Sequence, residues 1–410
     1  MLKGLIPKIM TLSLCMIVKN EAASLSRCLK SVEGWVDEMI IVDTGSTDDT
    51  PSIAQSFGAK VYNYDWGNDF AAARNFGLQY VQSEWVLVLD ADEVLNSEVK
   101  PQLQGILEQD NLLAVTLLRH EVGAQQSPYS LLSRLFRNHP QIRFQRPYHE
   151  LIDDRVLALQ KQESGWQVGH LPEVAIEHFG YQVDAIATRN KHQRACEIMA
   201  AALANNPNDA YLCSKLGALY VDMGQVEPGI HLLKQGLNLN PPEASICYEL
   251  HYHLGHTYAR CQQAALALHH YQQAVQQKLP ELLKLGAYNN WANLLQDCGQ
   301  YEQASQQYQQ IIALQPDWSV GYYNLGLTRR AMGDLSGAIA AYRQAIQKQP
   351  DYAEAYQNLG VALFKQGQLQ ASQQAFSRAI ALHRQHNNIA AAEQLQQGVA
   401  ELGLPDFPSI

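Results

Sequence analysis

Charge is scarce in this chain. Asp, Glu, Lys and Arg together make up 17% of its 410 residues, against roughly 25% in an ordinary globular protein. What charge there is leans acidic, with 40 carboxylates against 30 lysines and arginines and a net charge of −10. A nucleic-acid binder needs a basic face to displace counterions, so the balance argues against that class while leaving room for a local phosphate pocket. Cysteine is sparse too. The seven, at 15, 28, 196, 213, 247, 261 and 298, are odd in number, scattered and without a CxxC pair. This predicts reduced, buried thiols in a cytosolic protein, not a disulfide or zinc framework. No run of 18 or more apolar residues occurs, so no membrane-spanning helix is expected. The opening "MLKGLIPKIMTLSLCMIV" mimics a leader. Its apolar run is short, follows Pro7, and ends at Lys19 and Glu21 without a clear small-x-small cleavage pattern. It reads instead as a buried first strand, Leu12–Val18.

What is present is a pattern. Apolar runs of strand length alternate with helical stretches. Strands are expected at Leu12–Val18, 39–42, 60–64 and 85–89, with helices over 24–32 and 70–81. Thr50 reads as a helix N-cap with Pro51 at the first helical position. Strands separated by helices imply a largely parallel sheet covered on both faces. Such sheets gather their ligand sites at the carboxyl ends of the strands, and Lys19, Asn20, Glu21, Asp43 and Asp90 all fall there. From 106 to 184 the pattern is less regular. A strand is expected over 113–119. "SRLFRNHPQIRFQRPYHELI" sets four arginines and two histidines among aromatics, and reads as a functional surface added to the same sheet.

Beyond about 185 the sequence repeats. Gly299, Gly333 and Gly367 are spaced by 34 (333 − 299 and 367 − 333), as are Tyr308, Tyr342 and Phe376, and Tyr288, Tyr322 and Tyr356. "GYYNLGLTRRAMGDLSGAIAAYRQAIQKQP" resembles the tetratricopeptide repeat, with Leu325, Gly326, Gly333, Ala338, Tyr342, Ala345 and Pro350 at its signature positions. Five units begin near 210, 248, 285, 319 and 353, after a lone capping helix over 191–207. Small residues such as Gly326 and Ala338 let paired helices approach, and large ones such as Tyr342 fill between them, so the units stack into a solenoid. The periodic aromatics are therefore core. The fold class is α/β followed by all-α, with domains expected over 11–184 and 185–400. The repeats can bind a protein partner on their concave face, or pair two copies of the chain.

The residues with chemical promise sit in "VLVLDADEVL", where a strand runs into Asp90, Asp92 and Glu93. In an extended segment Asp90 and Asp92 face one side and Glu93 begins to turn away. Hard oxygen ligands suit Mg2+ or Mn2+, and such ions need only one or two carboxylates when substrate phosphates complete the shell. The plain alternative is a helix-start cluster favoured by the helix dipole. Asp43 has a plain alternative as well, hydrogen bonding the turn at Gly45 and Ser46.

Context decides between them. "SLCMIVKNEAASLSRCLKSV", "DEMIIVDTGSTDDT" and "ARNFGLQYVQSEWVLVLDADE" resemble, in order and spacing, family 2 glycosyltransferases with the GT-A fold. The likeness is strong over 11–95 and weaker to about 180. It is greatest to the bacterial branch that holds lipopolysaccharide-core glucosyltransferases and bacteriocin S-glycosyltransferases, some of which also carry tetratricopeptide repeats. The resemblance implies a nucleotide-sugar half over 11–105 and an acceptor-side half over 106–184. It implies that Asp43 contacts the nucleotide base or ribose and that Lys19, Asn20 and Glu21 lie along the nucleotide. Arg74 and Asn75 would support the donor near its diphosphate. Asp92 would be the direct metal ligand, and Asp90 would join it or touch the ribose or sugar. His149 and Glu150 lie in "PYHELI", and His178 and Tyr181 in "IEHFGY", segments similar to ones recurring in this branch. His149 is expected on the donor. His178 is expected to complete the metal shell, to hold the diphosphate, or to be structural. The usual "ED" base motif of the family is not evident, so Glu150 is the candidate general base, with Asp153 and Asp154 as rivals.

The expected activity is thus metal-dependent, inverting transfer of a sugar from a nucleotide-sugar, a UDP-sugar, with Mn2+ or Mg2+. The acceptor is a hydroxyl or thiol on a glycan, a lipid-linked saccharide or a protein. The expected location is cytoplasmic, or peripheral to the inner face of the membrane. The rival reading is a tetratricopeptide scaffold with a non-catalytic sugar-nucleotide-binding domain. A nucleotidyltransferase is disfavoured, because no Gly-rich loop follows the first strand.

Overall fold

A computed structural model of the chain describes residues 11–123, 128–180 and 185–402. Tyr181 lies outside them. Leu12–Val18 (β1) is buried at all but one position, as a run with no polar alternation requires. It pairs in parallel with Glu38–Asp43 (β2) and with Trp85–Val88 (β4), and β2 pairs in parallel with Lys60–Asn63 (β3). The irregular region supplies Leu112–Glu121 (β6), Tyr129–Arg137 (β7) and Gln167–His178 (β8), which join the same sheet. The order is β3-β2-β1-β4-β7-β6-β8-β5, the last being Glu93–Leu95.

The sheet is covered on both faces. Leu25–Val32 (α1) and Lys100–Leu107 (α4) bury Leu25, Leu29, Val32, Leu103 and Leu107 against Leu14 and Met16. Phe70–Leu78 (α3) and Asp153–Gln162 (α5) bury Ala71, Leu78, Val156 and Leu159 on the side of Cys15. The alternation of Leu14, Cys15 and Met16 between two cores is the strand period made visible.

Two local expectations are corrected. Thr50–Ser56 (α2) takes Asp49 as its N-cap, and Thr50 is already helical. The Thr50 hydroxyl is engaged elsewhere, donating to Asp48 Oδ1 at 2.5 Å and accepting from Glu21 N at 2.7 Å. Glu93 does not start a helix. It opens β5, fully buried and paired with β8.

One compact unit runs to Leu239 and a second begins at Asn240. The first therefore takes in three helices beyond the 184/185 boundary expected from sequence: Ala185–Asn205 (α6), Ala210–Asp222 (α7) and Val226–Asn238 (α8). The second unit holds four further helix pairs, the last being Ala353–Lys365 (α15) with Leu369–Gln385 (α16), and then Ile389–Glu401 (α17). Gly299, Gly333 and Gly367 have φ of +74°, +82° and +81°, the left-handed turn that ends the first helix of a pair. Tyr308, Tyr342 and Phe376 are buried as core residues. No described helix is long and apolar enough to cross a membrane. All seven cysteines are free thiols; four are buried as expected, but Cys247 and Cys261 are half-buried and Cys298 is exposed.

Candidate active site

The loops after β1, β2 and β4 meet at one edge of the sheet. Asn20, with φ +56°, accepts from Thr47 N through Oδ1 at 2.7 Å, and its own N–H donates to Ser46 Oγ at 2.9 Å. Glu21 is tied to Thr50 through its backbone and accepts from Ser24 Oγ at 2.6 Å. Lys19 is exposed beside them. Asp43, buried at the end of β2, accepts from Ser46 N and from Ser46 Oγ, the latter at 2.5 Å. The turn-holding role weighed for Asp43 is therefore present in the structure.

The acidic turn is tight. Asp90 N donates to Glu93 Oε2 at 2.9 Å, and Glu93 N to Asp90 O at 3.0 Å. Asp90 and Asp92 consequently go to different partners instead of one shared face. Asp90 is clamped by Arg74 Nη2 on Oδ1 at 2.6 Å and by Arg134 Nη2 on Oδ2 at 2.7 Å. Burial opposes its charge, but Arg134 and Arg74 outweigh it and hold the carboxyl far below the usual range. Each Asp90 oxygen thus accepts from one guanidinium and keeps a further lone pair.

Asp92 instead faces His178. The register places His178 opposite Glu93 on β5 and opposite Glu121 on β6. His178 Nδ1 lies 2.5 Å from Glu121 Oε2, and Nε2 lies 3.2 Å from Asp92 Oδ2. The hydrogen bonds to Asp92 and Glu121 raise its pKa to about 9. Glu93 is held by Arg119 Nη1 at 2.8 Å, and Arg119 also reaches Glu121. Five carboxylates (90, 92, 93, 121 and 150) thus meet three guanidiniums (74, 119 and 134). Five less three leaves two negative charges before His178 is counted.

Among the described residues no three His, Cys, Asp or Glu side chains converge as a complete ion site. Asp92 and His178 nevertheless fit part of a divalent-cation shell. A carboxylate on the far nitrogen is the usual second partner of a metal-bound histidine, and Glu121 occupies that position. Gly180 presents only backbone to the pair, and a Cβ there would lie 2.6 Å from His178 Nε2. The imidazolium proton leaves when such an ion binds.

Arg74 links the acidic turn to the later segment. Its Nε lies 2.5 Å from Glu150 Oε1, its side chain is 5% exposed, and Nη1 is buried without a partner. No hydrogen bond reaches the other oxygen of Glu150 among the described residues. Asp153 accepts from Ser133 Oγ at 2.8 Å. Ser133 neighbours Arg134 on β7, so the two point to opposite faces of the sheet. Asp154 pairs with Arg146 at 2.8 Å. Asn75 has a structural task of its own. Both amide atoms bridge the backbone of Phe144, at 2.8 and 2.9 Å, which ties α3 to the segment before Glu150. His149 is exposed, with φ +54°.

Sequence reasoning missed Arg119, Glu121 and Arg134. The first two were findable, since residues two apart in a strand share a face. Arg134 was hidden among four arginines.

Comparison with known proteins places both parts of the chain in known families. The family described as Glycosyl transferase family 2 matches residues 13–169. Tetratricopeptide repeat families match 285–315, 326–367 and 353–386. A TPR repeat-containing protein of Synechococcus elongatus is 47% identical over 304 residues, covering 74% of this chain and 75% of that protein. An uncharacterized glycosyltransferase of Rickettsia felis is 30% identical over 187 residues, covering 43% of this chain and 65% of that protein. The SPbeta prophage-derived glycosyltransferase SunS of Bacillus subtilis is 25% identical over 232 residues, covering 56% of this chain and 53% of that protein.

Proposed function

Because the chain belongs to the family 2 glycosyltransferases that carry tetratricopeptide repeats, we propose that it moves a sugar from a UDP-sugar to a hydroxyl or thiol, with inversion. The acceptor belongs to a glycan, a lipid-linked saccharide or a protein. The observation that carries this reading is Arg74. One buried guanidinium joins Asp90 of the acidic turn to Glu150 of the acceptor-side segment.

Each residue then has a task. Asp43 and the loop of Lys19, Asn20 and Glu21 border the nucleotide. Arg74 and Arg134 fix Asp90, whose remaining lone pairs accept a hydrogen bond from ribose or sugar. Asp92 and His178 would hold Mn2+ or Mg2+, which offsets the surplus negative charge of the cluster and the charge growing on the departing diphosphate. Glu150 keeps one oxygen on Arg74 and offers the other to the acceptor proton.

Turnover of a panel of UDP-sugars, with and without Mn2+, tests the proposal. Activity that survives chelation and Asp92→Asn would remove the metal role. An undiminished rate in Glu150→Gln would move the base elsewhere.

A further inference from the structure

Glu150 sits at the end of a segment with an unusual backbone. Residues 145 and 151 close it as a two-residue bridge, with N–H···O distances of 2.8 and 3.2 Å. Between them Arg146 has φ +73° and His149 φ +54°, left-handed conformations that side-chain-bearing residues adopt at a cost and keep only where surroundings enforce them. From the catalytic half, Phe70 N at the start of α3 donates to Pro147 O at 3.0 Å, Asp154 of α5 pairs with Arg146 at 2.8 Å, and the Phe70 ring lies 5.4 Å from that of Tyr148.

Further restraints come from the first repeat helices. Arg146 Nε lies 2.8 Å from Asp209 Oδ2, and its guanidinium lies over the ring of Tyr211 at 4.9 Å. Asp209 is buried and is the N-cap of α7, where Oδ1 accepts from Leu212 N at 3.0 Å. Tyr148 packs against a core built by α6 and α7, including Cys196, Met199, Leu203 and Leu212. Burial raises its phenol pKa, with Glu150 and Cys196 adding to the effect. Arg194 of α6 also hydrogen-bonds Asn68 at 3.1 Å, just before the helix that carries Arg74.

We propose that the first repeat helices are part of the transfer site: through Arg146–Asp209 and the seat of Tyr148, α6 and α7 hold the 145–151 loop in the shape that presents Glu150 to Arg74. Arg146 is then a positioning residue for Glu150. This proposal rests on Glu150 acting in the transfer reaction, but its structural half does not.

The test uses the full chain with two variants that spare the backbone. Asp209→Ser keeps an N-cap residue but removes the partner of Arg146. Arg146→Asn keeps a residue that tolerates positive φ but removes the guanidinium. Amide hydrogen exchange across 145–151 is expected to accelerate on the order of tenfold in both, with β1, β2 and β4 unchanged. The rate constant kcat is expected to fall on the order of tenfold while the donor KM stays within about twofold. The double variant should be no worse than Arg146→Asn alone, because that substitution already removes the Asp209 contact together with those to Asp154 and Tyr211. Unchanged exchange in 145–151, or additive losses, would overturn the proposal. A wild-type chain without turnover on any donor would count against the assigned function, and exchange alone would then decide whether the repeat helices hold the loop.

Discussion

A β-carbon on Gly180 would stand 2.6 Å from Nε2 of His178, and 3.0 Å from Oδ2 of Asp92. The absence of a side chain is what lets the chain after β8 close over this pair. Gly180→Ala must push the imidazole away from Asp92, since the ring is pinned from its other side by Glu121. The expected result is a rise on the order of tenfold to a hundredfold in the Mn2+ concentration needed for half-maximal turnover. Cation titration of the variant checks it, and an unaltered titration would break the link between this histidine and the cation.

Arg74 is the electrostatic hinge of the cluster. Removing one partner of a buried ion pair leaves the other charge uncompensated, at a cost of about 3–5 kcal/mol. Arg74→Met strands Glu150, and leaves Asp90 to Arg134 alone. Denaturant unfolding should show a loss of that size. Arg74→Lys retains the charge but cannot span both carboxylates with a rigid fork, so it should recover part of the stability and little of the turnover. Equal stability in Arg74→Met and wild type would mean the network is solvated.

In the second unit an aromatic ring is seated on a glycine. A β-carbon on Gly326 would stand 2.5 Å from the Tyr342 ring, and one on Gly360 2.7 Å from the Phe376 ring. Phe376→Ala should cost about 3–5 kcal/mol, and Gly360→Ala about 1–3 kcal/mol through overpacking. Because the new methyl partly fills the space left by the ring, the double variant should cost less than the two together. Urea unfolding of the four proteins decides this. One repeat earlier the equivalents of Gly326 and Tyr342 are Ala292 and Tyr308, both buried, so that repeat accommodates a methyl.

These glycines and aromatics were legible because the repeat is local. Each helix pair is written within about 34 residues, and its core positions recur. The strands β1 to β4 were legible for a similar reason, as apolar runs between helices. The site was legible only in part. Asp43, Asp90 and Asp92 stand at strand ends that any parallel sheet brings together. Which partner each carboxylate chooses depends on contacts far apart in sequence, such as Asp92 with His178 and Arg74 with Glu150. Nothing local in "LDADE" shows that Arg134 will claim Asp90 or that Glu93 will be buried in a strand. The register of β5, β6 and β8 sets both, and it passes through the stretch whose pattern was least regular.

Glu38 offers a pH test away from the site. It opens β2 and accepts from Ser13 Oγ at 2.6 Å, from Gln82 N at 2.7 Å and from Lys60 Nζ at 3.1 Å. Burial opposes its ionisation, but these hydrogen bonds outweigh it and lower the pKa. A carboxyl whose folded pKa is depressed contributes stability above its unfolded value, about 4.3, and that stability is lost as pH falls through the folded value. Glu38→Gln should therefore destabilise the chain by about 1–2 kcal/mol at pH 7. The gap between variant and wild type should shrink as the pH drops below about 4, where the native carboxyl also gains a proton. Denaturant midpoints measured at pH 7, 5 and 3.5 follow this directly. A gap that stays constant across the three would show that the side chain acts through its shape and not its charge.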